Sequence, residues 1–307
     1  MIRVTSQGTV VDADTNAVAY HYEIANKPVV FQTAVARLRA YEVGPASTRF
    51  SDLLNSTTSN EVLDASNAEL KYRGRASFNL NYTTVSYWRN KDSAQINVNS
   101  EPVCRIDFAT EHIHVLNNES FDDSTNLAVI TGPALILLLS QSDIYCLNAG
   151  AVATPHGCVA MLAEFGAGKS TLSAHVDKSW SQLADDILPL EFIDDVEIFH
   201  RFPQLKLGDA TIVDRPKKPL FLKCILRLVQ EPSAKTEFKA LKRTDALLQV
   251  VSHTIGARLF DEKMMRKHAK FAKHVTAHIP TIEVSYPRDL SKLDSLRAEI
   301  SEFIDML

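Results

Sequence analysis

AEFGAGKSTLSAHV, residues 163–176, decides the reading of this chain. Its first eight residues, Ala163 to Ser170, follow the pattern G-x-x-x-x-G-K-[ST] at every defined position except the first, where Ala163 replaces glycine. The run CVAML (158–162) precedes it and reads as a short central strand covered on both faces. A helical pattern follows, predicted to begin near Gly168 and to turn Leu172 and Val176 inward. Strand, glycine loop and helix in this order suit an anion, because backbone N–H groups at a helix start face it and the dipole favours negative charge. Gly166 and Gly168 let the backbone approach closely, with Ala167 between them. Lys169 places a point charge on the outer phosphates, and the Ser170 hydroxyl can reach a magnesium ion. Ala163 costs about 1–2 kcal/mol if its position needs a left-handed backbone, and nothing if φ is negative.

The next signal downstream is Asp185-Asp186, inside SQLADDILPLEF (181–192), which reads as a second strand. Adjacent carboxylates beside buried apolar residues are costly unless a metal or a proton compensates them. One of the pair can hold Mg2+, directly or through water. The other can accept a proton from an attacking hydroxyl.

Outward from this centre, the chain changes character near the polar stretch 117–126. Residues 1–125 read as a β-rich domain, with alternating stretches at 18–25, 76–88, 94–99 and 103–110. FQTAVARLRAYE (31–42) fits helix or strand. Residues 126–307 read as an α/β domain. Its predicted elements are a buried helix over 133–141 with Pro133 in the first turn, IYCLNAGAVAT (144–154), and a turn at Pro155-His156-Gly157. Further strands are expected at LKCILRLV (222–229) and TIEVSY (281–286). Helices are expected at about 244–253, capped by Thr244, at about 262–278, and at about 291–307. The last should align Leu293, Leu296, Ile300, Phe303, Ile304 and Leu307.

Composition narrows the classes. A net charge of −4 argues against a general nucleic-acid binder, which carries a basic surplus. The most apolar run, LAVITGPALILLLS (127–140), is shorter than the roughly 20 residues a membrane span needs, so no membrane association is expected. The start, MIRVTSQGTVVDAD, lacks a basic segment followed by an apolar core, and a cytoplasmic location is expected. Cys104, Cys146, Cys158 and Cys224 form no C-x-x-C pair and read as buried thiols. The ten histidines offer no metal set; His274 and His278 lack the acid that would complete H-E-x-x-H.

The segments LNAGAVAT, GCVAMLAEFGAGKSTLSAHV and WSQLADDILPLE together resemble the C-terminal kinase domain of HPr kinase/phosphorylase. They are more similar still to the broad set of HPr-kinase-like proteins, with their order LHASAV, G-x-S-G-A-G-K-S-T-L and L-S-D-D-V. RFPQLKL (201–207) resembles the family's Y-P-x-L-x-L, and VSYPRDL (284–290) its closing L-x-Y-P. The likeness covers roughly residues 125–307, and the first part of the chain more loosely. It implies an α/β P-loop kinase domain behind a β-rich domain. It also implies transfer of the ATP γ-phosphate, with Mg2+, to a serine of a protein or peptide, among them precursors of small modified peptides such as lasso peptides. By this resemblance Lys169 binds the β- and γ-phosphates, Ser170 binds Mg2+ with Thr171 beside it, Asp185 is the general base and Asp186 the metal partner; these last two are interchangeable. The chain departs from the family at Asn148, where histidine is common, at Phe165, where serine is common, and at Ala163.

Arg201 is the expected cation for the transferring phosphoryl group, since it adjoins the RFPQLKL segment. Two other functions remain open at this stage: a catalytically weak nucleotide-binding regulatory module, and a small-molecule kinase. Self-association into a homo-oligomer is compatible with the sequence, which does not set the oligomeric state.

Overall fold

The computed structural model describes residues 2–4, 10–12, 18–24, 27–33, 63, 67–78, 81–109, 112–116, 129–164, 166–175, 180–192, 196–198, 220–231 and 235–307. The fold is mixed α/β: antiparallel sheets first, then a mixed sheet with parallel strands and helices. The chain divides into two compact units, Met1–Ser142 and Asp143–Leu307. No helix among the described residues is long and apolar enough to cross a membrane.

The first unit holds two antiparallel sheets in which strand order follows chain order. One comprises β1 (Ile2–Val4), β2 (Val10–Asp12), β3 (Val18–Ile24) and β4 (Lys27–Thr33). The other comprises β5 (Glu69–Phe78), β6 (Asn81–Arg89), β7 (Ser93–Val98), β8 (Glu101–Asp107) and β9 (His112–Val115). The stretch 76–88, expected as one strand, spans the end of β5 and most of β6, which pair antiparallel with Phe78 opposite Asn81. Its alternation continues on both sides with no Gly or Pro to mark the reversal. The ambiguous stretch 31–42 begins in β4, and its remainder lies outside the described residues.

The apolar run at 127–140 ends this unit. Ile130–Ala134 form a π-helical turn with Pro133 inside it, and α1 (Leu135–Gln141) follows, with Leu135, Ile136, Leu137 and Leu139 buried. Pro133 therefore sits ahead of the α-helix rather than in its first turn. Proline has no N–H and clashes with the carbonyl one turn back, and a wider turn accommodates it.

Among the described residues, the second unit is built on a sheet of nine strands. Its path runs β10 (Tyr145–Asn148), β14 (Ile187–Phe192), β15 (Val196–Ile198), β16 (Leu220–Gln230), β12 (Gly157–Ala163), β11 (Gly150–Thr154) and β13 (Ser181–Ala184), with β18 (Thr281–Tyr286) on β16 and β17 (Glu237–Ala240) on β18. β12, β16 and β18 are parallel neighbours. The continuous apolar run of β12 has the reason expected of it. Cys158, Ala160 and Leu162 face a core shared with Val250 of α3 (Arg243–His253) and Phe271 of α4 (Glu262–His278). Val159, Met161 and Ala163 face Leu172 of α2 (Lys169–Ala174) and Ile300 of α5 (Leu293–Asp305). Each fully buried large aliphatic side chain contributes about 1.5–3 kcal/mol.

Several boundaries differ from the sequence reading. SQLADDILPLEF is two strands, β13 and β14, broken at Asp185-Asp186, because two adjacent carboxylates cannot continue a buried ladder. Thr244 is not the cap of α3: Lys242 holds that place without a side-chain bond. The preceding Leu241 N–H donates to the Thr281 carbonyl at 2.9 Å, so sheet pairing sets the entry to the helix. α4 starts as capping logic dictates, with Asp261 accepting from the Met264 N–H at 2.7 Å. α5 buries Leu296, Ile300 and Ile304, but ends at Asp305 and leaves Leu307 exposed. Val176 and the segment RFPQLKL lie outside the described residues.

Candidate functional site

The sheet's path has β10 at one end and β13 at the other, yet β10 runs directly into β11 and β13 into β14. The two crossings, at Ala149 and at Asp185-Asp186, are therefore brought together. The Ala149 N–H donates to the Asp186 carbonyl at 3.1 Å and fastens them. Asp185 is buried at 5% exposure and Asp186 is half-buried.

The glycine loop reaches the same junction. It leaves the C-terminal end of β12, closes a turn in which the Ala167 N–H donates to the Glu164 carbonyl at 3.2 Å, and enters α2 at Lys169. Gly166 and Gly168 have φ of 82° and 83°, a left-handed backbone that favours glycine. Ala163 belongs to β12 and is not among the residues with positive φ, so its methyl group carries no backbone strain. Glu164 is exposed, and Phe165 lies outside the described residues.

α2 is anchored on both sides of its first turns. A Cβ on Gly150 would meet Lys169 Cγ and Ser173 Oγ at 3.1 Å, so glycine at the start of β11 lets the helix pack closely. Ser173 Oγ accepts from Gln182 Nε2 of β13 at 3.2 Å. Lys169 Nζ donates to the Asn148 backbone carbonyl at 3.3 Å and also to Asn148 Oδ1. Lys169, Asn148, Ala149 and Asp186 thus form a connected set across the junction. Ser170 and Thr171 are exposed.

A cleft of about 300 Å³ opens beside the loop, lined by Glu164, Gly166, Ala167, Arg227, Gln249 and His253 among others. It sits at the C-terminal ends of parallel strands, where open α/β sheets bind their ligands. A Cβ built on Gly166 meets nothing within 4 Å, so that side of the loop is open. Arg227 is held by Glu283 at 2.5 Å. Gln249 and His253 are fixed by the end of α3, where the Ile255 N–H donates to the Cys146 carbonyl at 2.8 Å and Thr254 bridges Leu147.

Some predicted residues fall elsewhere. Arg201 lies outside the described residues. Among the described residues no three His, Cys, Asp or Glu side chains gather to hold a metal by themselves. Magnesium needs fewer protein ligands than that, because it takes one or two carboxylates and completes its shell with phosphates and water. The four cysteines are buried, and burial pushes Cys104 and Cys224 up to about 12 and Cys146 and Cys158 upward too, so none is a thiolate. Sequence reasoning missed Gly150, Arg227, Gln249 and His253. Only the small residue between two apolar runs in LNAGAV marks the first; the others carry no local signal.

No protein-family model matches the chain, and no curated protein matches it significantly.

Proposed function

We propose that the chain is an ATP- and Mg2+-dependent kinase that transfers the γ-phosphate to a serine hydroxyl of a small protein or peptide. Its second unit would be a P-loop kinase domain of the HPr-kinase-like type. One observation carries the reading: a strand–glycine loop–helix unit ends on a lysine that meets the junction holding Asp185 and Asp186. The lysine donates to Asn148, and the next residue, Ala149, is bonded to the backbone carbonyl of Asp186, so the loop and the aspartate turn share one junction.

In this reading the polyphosphate lies along Gly166, Ala167 and Gly168, against their backbone N–H groups and Lys169. Ser170 and Asp186 would hold Mg2+, which when bound neutralises phosphate charge. Asp185 takes the proton of the serine hydroxyl as its oxygen bonds to the γ-phosphorus. The bond from that phosphorus to the β-bridging oxygen breaks, and ADP leaves. Little covalent help is needed, so positioning and charge dominate. Arg227 lines the cleft beside the loop, paired with Glu283.

The bond from Lys169 to Asn148 also favours a second reading, a module that binds nucleotide without turnover, since an amide cannot relay a proton. Calorimetry with MgATP and transfer of labelled γ-phosphate to serine peptides separate the two. Binding with transfer supports the kinase, binding with none on a broad peptide set supports the module, and no binding rejects both.

A further inference from the structure

Tyr286 ends β18 and is 3% exposed, with its ring in the core beneath α2 and α5. Its hydroxyl donates to the Ala167 carbonyl at 2.6 Å, a contact to the middle of the glycine loop. The same hydroxyl accepts from Gln230 Nε2 at 3.4 Å. Gln230 and Tyr286 face each other at the end of the β16–β18 ladder, and the Glu231 N–H donates to the Tyr286 carbonyl at 3.0 Å. The hydroxyl is therefore presented from the hydrogen-bonded end of the β16–β18 ladder.

The peptide between Ala167 and Gly168 is trans, as no described peptide bond is cis. In a planar trans peptide the C=O and the N–H point in opposite directions. Fixing the Ala167 carbonyl on Tyr286 thus aims the Gly168 N–H away from the core. The two glycines then have different jobs. Around Gly166 there is open space, whereas a Cβ on Gly168 would meet Tyr286 Oη at 2.8 Å and Gln230 Nε2 at 2.9 Å. Gly168 is needed for its left-handed φ and also because this pair fills the space a side chain would take. Burial raises the Tyr286 phenol above its usual range, so it remains a donor at neutral pH.

We propose that Tyr286, backed by Gln230, is the positioning residue of the glycine loop, setting the Gly168 N–H toward a bound phosphate. The inference rests on the phosphate-binding reading of that loop. The Tyr286→Phe variant keeps the ring and deletes only the hydroxyl. Ile300→Val, which removes one methyl group from the same core face, is the control for a purely structural loss. Calorimetry with MgATP and amide hydrogen exchange over residues 163–172 are read on wild type and both variants. Tyr286→Phe should weaken MgATP binding about five- to tenfold, the range set by one lost hydrogen bond. It should also speed exchange in the loop several-fold, while Ile300→Val does neither.

Equal effects in the two variants, or a Phe variant with wild-type affinity or wild-type loop exchange, would overturn the proposal. If wild type itself binds no MgATP, the kinase reading fails, and exchange alone decides whether Tyr286 sets the loop. Should Tyr286→Phe not fold, Gln230→Leu tests the same contact from its other partner, with the same signs and smaller effects.

Discussion

The β5–β9 sheet and the mixed sheet of the second unit are both built from short apolar strands, but they are wired differently. In β5–β9 every strand pairs with its neighbour in sequence. The β7–β8 connection shows how local the instructions are. Asn99 and Ser100 have φ of 50° and 73°, the double left-handed turn that matches strand twist. In the mixed sheet β12 pairs with β16 and β16 with β18, across dozens of intervening residues. The candidate site lies in the second kind of region. Residues from β10, the glycine loop, the Asp185-Asp186 turn, β16 and β18 meet only because distant strands pair. Long-range pairing brings together chemistry that adjacent hairpins cannot.

That contrast can be broken, beginning with its largest consequence. Lys169→Ala should lower phosphate transfer by on the order of 10²–10³-fold, the loss typical of one preorganised charge contact, with the far-ultraviolet circular dichroism unchanged. Unchanged turnover would remove Lys169 from the chemistry. Next come two core truncations. Leu172→Ala and Ile106→Ala each delete a fully buried aliphatic side chain and should each cost about 2–5 kcal/mol in denaturant unfolding. Leu172→Ala should also weaken MgATP binding, because α2 carries Lys169; Ile106→Ala should not. An equal nucleotide effect from Ile106→Ala would show that the loss does not come from α2.

Smaller effects sharpen the same contrast. Ser100→Gly should stabilise the protein by about 1 kcal/mol, since glycine takes a left-handed φ without the penalty serine carries. A loss of stability would show that Ser100 earns its place by another contact. In the mixed sheet the subtlest marker is His268, buried and bonded to Thr254 Oγ1 at 2.8 Å. Burial lowers its pKa below the usual 6.5, so the unfolded chain binds the proton first as the pH falls. Stability held above about pH 6.5 should therefore fall below it, by at most about 1.4 kcal/mol per pH unit for this one group. His268→Asn should flatten that slope in urea titrations between pH 5 and 6.5.

Legibility followed the same division. β3, β7 and β8 stand close to where alternation put them, β16 and β18 close to the strands expected at 222–229 and 281–286, and α4 starts at its aspartate cap. Readings failed where a neighbour in space overruled a neighbour in sequence. Thr244 lost its capping role to the Leu241–Thr281 pairing, and 181–192 split because its carboxylates turn at a junction with Ala149. Leu307 has the right helical spacing but no helix beneath it. Tyr286 was visible as part of VSYPRDL, though nothing in that string says where its hydroxyl points.

By itself the sequence determined the local units: the apolar strand at 158–162, the glycine loop, the helix opening on Lys169, and the aspartate pair. Propensity, left-handed glycines and the cost of burying charge act within a few residues, so a string of letters records them. Only the tertiary structure decided that Asn148, Asp186, Arg227 and Tyr286 surround that loop, because pairing across long chain separations depends on the whole sheet's register and leaves no trace in any short window.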